Sequence, residues 1–183
     1  MSNAATTSAT SSASSSAALP IASVVLRVLI VVNWIYAAAI FTLLVFLPTR
    51  AWIMSALDLT PSPEAEWVIF GLRAIAVIGL IGVPLHYVVL ERLLAMVETV
   101  RAGDPFVAAN AARLQAIAWA LLTLQCLSLV VGAIAKSVST PAHPINVDAG
   151  FSVSGWLAVL LTFLLARVFA EGTLMRDDLE GTV

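Results

Sequence analysis

The sequence predicts an all-α protein: a four-span transmembrane helical bundle with a cytoplasmic extension of helices two and three. Three observations carry that prediction. Hydrophobic residues make up 61% of the chain and charged residues only 11%, with a mean hydropathy of +1.01, a balance foreign to an ordinary soluble domain. Four apolar runs, at about 21–47, 67–90, 114–135 and 151–170, each reach the roughly 20 residues that cross about 30 Å of hydrocarbon. The polar residues are gathered between those runs. Helices follow because lipid offers no partner to backbone N–H and C=O groups.

Residues 1–19 are mostly Ser, Ala and Thr, with no apolar periodicity to bury, and read as a disordered tail. They lack the basic stretch of a secretory signal, and the apolar run after them is too long for one, so that run reads as a retained span. Residues 20–183 then form one transmembrane domain. The first span stops at Pro48-Thr49-Arg50. From Pro63 to Val100 only Pro84 interrupts the helical pattern, giving a helix of roughly 37 residues, or about 55 Å, well beyond the bilayer. Helix three is expected to begin at Pro105. Residues 91–113 therefore read as a cytoplasmic helical hairpin, with Gly103-Asp104-Pro105 at its tip and a C-terminal tail at 171–183.

Basic residues set the orientation. With both termini in the cytoplasm, Arg92, Arg101, Arg113, Arg167 and Arg176 lie inside and only Arg50 and Lys136 outside. That asymmetry predicts a multi-pass protein of the cytoplasmic (cell) membrane with both termini inside. Trp52, Trp67 and Trp156 fall near the outer interface, where indoles settle. The outer loops, with Asp58, Glu64 and Glu66 in one and His143 and Asp148 in the other, are too short for a folded ectodomain.

The hairpin tip is the one polar element that solubility in lipid does not explain. Gly103 suits a helix end that needs a positive φ. Asp104 is expected to cap the amides of helix three, with Pro105 in its first turn. Phe106, Asn110, Arg113 and Ile117 follow at helical spacing on one face. The stripe Leu93, Val97 and Val100 on helix two offers Phe106 an apolar surface. Capping accounts for Gly103, Asp104 and Pro105. Asn110 is a poor helix-interior residue without a partner for its amide, and that partner is either a bound protein or the backbone of the C-terminal tail.

Val100-Arg101-Ala102-Gly103-Asp104-Pro105-Phe106, then Asn110, Arg113, Leu114 and Ile117, resembles the central signature of a bacterial membrane family called domain of unknown function 2975. The ending Val168-Phe169-Ala170-Glu171-Gly172, with Met175 to Val183, is similar to that family's as well. The resemblance covers roughly residues 21–183 and implies a four-span protein. Many members are encoded beside a small helix-turn-helix regulator, which implies a regulatory role, and the family supplies no catalytic residues. One departure is Val107, where relatives tend to have Ser or Thr.

Within or near the spans lie Arg27, Asn33, Arg73, His86 and Gln125, and intramembrane polar groups point to function by default. Arg27 and Arg73 are near enough to an interface to snorkel, Arg27 towards phosphates or Glu171 and Arg73 towards Glu66 or the loop acids. Asn33 and Gln125 are expected to pair between helices. His86 follows Pro84, which removes one helix bond, and either bonds a carbonyl or senses pH.

Several function classes are excluded on residue chemistry. A net charge of −2 argues against direct nucleic-acid binding. One cysteine, Cys126, gives no thiol pair, and His86 and His143 alone give no metal site. No carboxylate lies at mid-membrane for proton-coupled export, and no nucleophile set, phosphate loop or paired-carboxylate site appears, so no enzyme and no cofactor is expected. The leading expectation is a regulatory membrane protein that binds or restrains a small soluble transcription regulator. Phe106 would anchor it and Asn110 and Arg113 orient it, in a chain that either stands alone or forms a homo-oligomer. The alternatives are a small oligomeric transporter or channel for a neutral or lipid-like solute, and a membrane scaffold or accessory subunit.

Overall fold

The computed structural model describes residues 4–46, 63–139 and 148–180, with side chains over 19–45, 65–139 and 148–175. Four helices account for nearly all of them: α1 (Ala4–Phe46), α2 (Pro63–Arg101), α3 (Ala108–Val138) and α4 (Val153–Glu180). Each contains a stretch long and apolar enough to cross a membrane: Leu19–Val45, Ala65–Arg101, Ala108–Val138 and Val153–Met175. α1 ends two residues before Pro48, where the residue preceding a proline disfavours helix. α1 also runs back to Ala4, so the backbone of the segment expected as a disordered tail continues the helix. Elongating a formed helix is far easier than nucleating one, and alanine is the best helix former.

α2 passes through Pro84 without interruption and is 39 residues long, while α3 has 31. At 1.5 Å per residue these are about 58 and 46 Å, so both exceed the hydrocarbon thickness. The helices pack in chain order, α1 on α2, α2 on α3 and α3 on α4, and no other pair adjoins among the described residues. The bundle is thus an open row with α1 and α4 at its edges. Its interior is built from small and β-branched residues, including Val83 of α2, Ile117, Ala118 and Ala120 of α3, and Val159 and Ala166 of α4. Small side chains let helices approach where lipid removes the hydrophobic drive to associate.

α1 is peripheral: only 6% of its apolar stretch is buried, leaving residues such as Val25, Val28 and Ile35 for lipid. Three contacts fix it to α2. Asn33 Nδ2 donates to the Val83 carbonyl at 3.2 Å, Trp34 meets Tyr87 at 5.8 Å between ring centroids, and Arg27 pairs with Glu98 at 3.4 Å.

At the far end of the bundle, α3 receives the chain entering α4. The Gly150 N–H donates to Ser128 Oγ at 3.1 Å, and the Ser128 hydroxyl donates to the Gly150 carbonyl at 3.3 Å. Gly150 has φ 125°, a left-handed value that side chains resist. A Cβ on Gly132 would lie 2.7 Å from Gly150 Cα, so backbone meets backbone there. Gly132→Ala is therefore expected to cost about 1–3 kcal/mol of stability through overpacking. Gly79→Ala, whose Cβ would meet only Ile40 Cδ1 at 3.6 Å, is expected to be neutral or stabilising. Reversible unfolding in micelles measures both, and equal losses would show that the α3 contact is not the tight one.

Candidate functional site

The turn between α2 and α3 is closed from the backbone upward. Gly103 has φ 87°, its N–H donates to the Val100 carbonyl at 3.1 Å, and the Asp104 N–H donates to the Thr99 carbonyl at 3.1 Å. These are the two bonds that satisfy the last carbonyls of a helix through a left-handed glycine. α3 begins at Ala108, later than expected, and its N-cap is Val107 with φ −109° and ψ 144°. Asp104 and Pro105 therefore precede the cap. The closure of α2 uses the backbone as far as Asp104, and only beyond it does the chain extend before turning helical.

Beneath the turn lies Asn110, whose side chain is fully buried. Its Nδ2 donates to Thr99 Oγ1 at 2.8 Å and to the Pro105 carbonyl at 2.9 Å. Its Oδ1 accepts from Arg113 Nη1 at 2.7 Å, and the same nitrogen lies 3.4 Å from the Ala95 carbonyl. The Thr99 hydroxyl donates to the Met96 carbonyl at 2.7 Å. One amide thus ties α2, the turn and α3 together with its donors and acceptor all engaged, the condition for burying it without penalty. The expected role of Asn110 as a surface group that orients a partner is corrected by its burial. Arg113 is half-buried and faces this network.

Phe106, at the end of the turn, packs at a tilt of 32° against Phe169 of α4, with ring centroids 5.3 Å apart. A Cβ on Gly172 would sit 3.4 Å from Phe106 Cδ1, so the ring covers α4 at that glycine. Sequence reasoning missed Thr99 and Phe169. Thr99 was legible as a hydroxyl one turn before the closing glycine, but the Phe169 contact depends on tertiary packing.

The intramembrane polar residues are dispersed. Arg27 reaches Glu98, while Glu171 is taken by Arg167 four residues earlier. Asn33 and Gln125 do not pair, since α1 and α3 do not adjoin; Asn33 bonds α2, and Gln125 packs over Gly155 of α4. His86 Nδ1 lies 2.9 Å from the Gly82 carbonyl one turn back. Arg73 is exposed on α2; of its expected partners, Asp58 lies outside the described residues, as does the side chain of Glu64. The Trp156 indole N–H, expected at the interface, is buried without a partner among the described residues. No group of three His, Cys, Asp or Glu side chains among the described residues is placed to hold a metal.

Four long apolar helices, the middle two joined by a tight turn, define a multi-pass integral membrane protein of the helical class. The chain belongs to the family described as protein of unknown function (DUF2975), whose model matches residues 15–183. No curated protein and no solved structure matches it.

Asn110→Ala is expected to lose about 1–3 kcal/mol, because it leaves Thr99, Arg113 and the Pro105 carbonyl short of partners. Chemical unfolding in micelles checks this, and an unchanged midpoint would remove Asn110 from the centre of the fold. Val107→Thr is expected to gain about 0.5–2 kcal/mol, because the extended N-cap has no side-chain hydrogen bond to the α3 amides. A Val107→Thr midpoint at or below that of the parent would show that those amides are already satisfied.

Proposed function

We propose that this is a regulatory protein of the cytoplasmic membrane, with both termini inside, that binds and restrains a small soluble helix-turn-helix transcription regulator at its hairpin end. The observation that carries the reading is Phe106: an aromatic side chain 47% exposed, located between the membrane-crossing stretches of α2 and α3. Lipid solubility does not require an aromatic there, and an aromatic held on a rigid mount is what a protein partner uses as an anchor. The mount is the glycine closure, the Asn110 network and Phe169 behind the ring. Val100 at 37% exposure and the exposed Arg101 extend the surface beside it. Asn110 and Arg113 serve this surface from below, by fixing the turn. The end of α4 carries Asp177, Asp178 and Glu180, acidic residues that complement a basic DNA-binding protein and steer its approach. The family's frequent neighbour is a regulator of that chemistry.

Photocrosslinking from position 106 in native membranes, with the lipid-facing Leu160 (60% exposed) as control, tests the reading. Capture of a small soluble regulator at 106 alone is expected, and crosslinks confined to this chain's own α4 would sink it. Orientation is checked with Ala102→Cys in a Cys126→Ser background. A membrane-impermeant maleimide is expected to label it in inverted vesicles and not in intact cells.

A further inference from the structure

The side of the row where α1 and α3 both flank α2 holds a groove of about 530 Å³, within the range of small-molecule sites. Its walls are apolar, among them Leu29 and Val32 of α1, Val83 and Val89 of α2, and Leu121 and Leu124 of α3. Its polar lining is Asn33, half-buried, the exposed Tyr36 and His86, and Ser128, which is engaged with Gly150; no charged residue lines it. Asn33 falls near the middle of the Leu19–Val45 stretch, and its bond to the Val83 carbonyl brings it to the level of the α2 turn that carries His86.

We propose that the groove binds a long-chain neutral alcohol, its hydroxyl held between His86 and Asn33 and its hydrocarbon laid along α2. The hydrogen-bond inventory selects the hydroxyl. His86 Nδ1 lies against the Gly82 carbonyl, which only accepts, so Nδ1 carries a hydrogen; with Nε2 unprotonated, the ring offers that nitrogen as an acceptor. Asn33 uses one N–H on Val83; its Oδ1 and second N–H have no partner among the described residues. A hydroxyl both donates and accepts, and so answers both residues, whereas a ketone or ester leaves the imidazole acceptor unmet. An ionic phospholipid headgroup has no counter-charge here. In hydrocarbon such unmet groups are costly, which makes the match selective.

Two glycines in the groove wall support the assignment. A Cβ at Gly79 would lie 3.6 Å from Ile40 Cδ1, and one at Gly82 would lie 3.7 Å from Leu124 Cδ2, both ordinary contacts. Alanine is the better helix former and fits at both positions. Packing within the chain demands glycine at Gly132, but not at Gly79 or Gly82. What their missing side chains leave is room in the groove, and a hydrocarbon chain recovers the dispersion contacts that an unfilled cleft forfeits.

The experiment uses the full chain in phosphatidylcholine nanodiscs with a diazirine-bearing hexadecanol as probe, labelled peptides being read by mass spectrometry. Saturable labelling of α1, α2 and α3 groove peptides is expected, displaced by hexadecanol or geranylgeraniol and about tenfold less well by hexadecyl methyl ether, which lacks the donor. The relative potency of the straight and prenyl alcohols identifies which source fits. Asn33→Leu and His86→Phe are each expected to weaken the saturable labelling about tenfold, and Gly79→Leu to block it by filling the groove. Labelling that never saturates, or that matches Leu160, overturns the proposal. So does displacement by the methyl ether as effective as by the alcohol, a result obtained on the parent protein and independent of whether any variant folds.

Discussion

The buried amide of Asn110 is the interaction on which the hairpin end depends. A helix pair of this length, joined by a turn of a few residues, needs something to stop the two long arms from sliding past each other. Apolar packing does not supply it, because side chains such as Ala and Val match equally well one turn up or down, and lipid is as apolar as they are. Asn110 has a single register in which its donors and acceptor are all met: Thr99 on α2, Pro105 in the turn and Arg113 one turn along its own helix. Any slip leaves a fully buried amide unpaired. The polar network is therefore a device for specificity, and it explains why a sequence this apolar keeps Thr, Asn and Arg together at one end.

The open row has a different logic. In water, helices at both edges exposing Val, Ile and Leu would close onto each other or aggregate. In a bilayer those faces are already solvated, so α1 needs to be positioned but not buried. It is held by a few directed contacts, Asn33 to Val83, Trp34 to Tyr87 and Arg27 to Glu98, spread along its length. An edge helix attached this way leaves a concave face beside α2, and the groove is the consequence of that arrangement.

The four helices, their order and the long central pair were legible because length, hydropathy and the need to satisfy the backbone leave few alternatives. Gly103 was legible for the same kind of reason, since local geometry alone demands a left-handed residue at a helix end. The pairing of Asn33 with Gln125 was not, because depth along a span says nothing about which helices adjoin. Once α1 and α3 are known to be separated by α2, the two amides must find other partners. The role of Asn110 stayed open because sequence shows that an amide needs a partner but not whether the partner is inside the fold. The start of α3 was placed three residues early because Asp-Pro is a strong capping pair, yet here the closure of α2 reaches as far as Asp104 and leaves the cap to Val107.

The same two helices build both distinctive places in the molecule. α2 and α3 wall the groove at Val83, His86 and Leu124, and a few turns further on they become the arms that carry Thr99, Phe106 and Asn110. Between those levels the pair is continuous helix on both sides. A molecule in the groove would alter the hairpin surface only insofar as it bound one crossing of α2 and α3 more tightly than another, since a ligand shifts a conformational equilibrium by no more than its difference in affinity for the two states. His86, on the turn of α2 that follows Pro84, lines the groove at that level. Proline removes one backbone bond at that level.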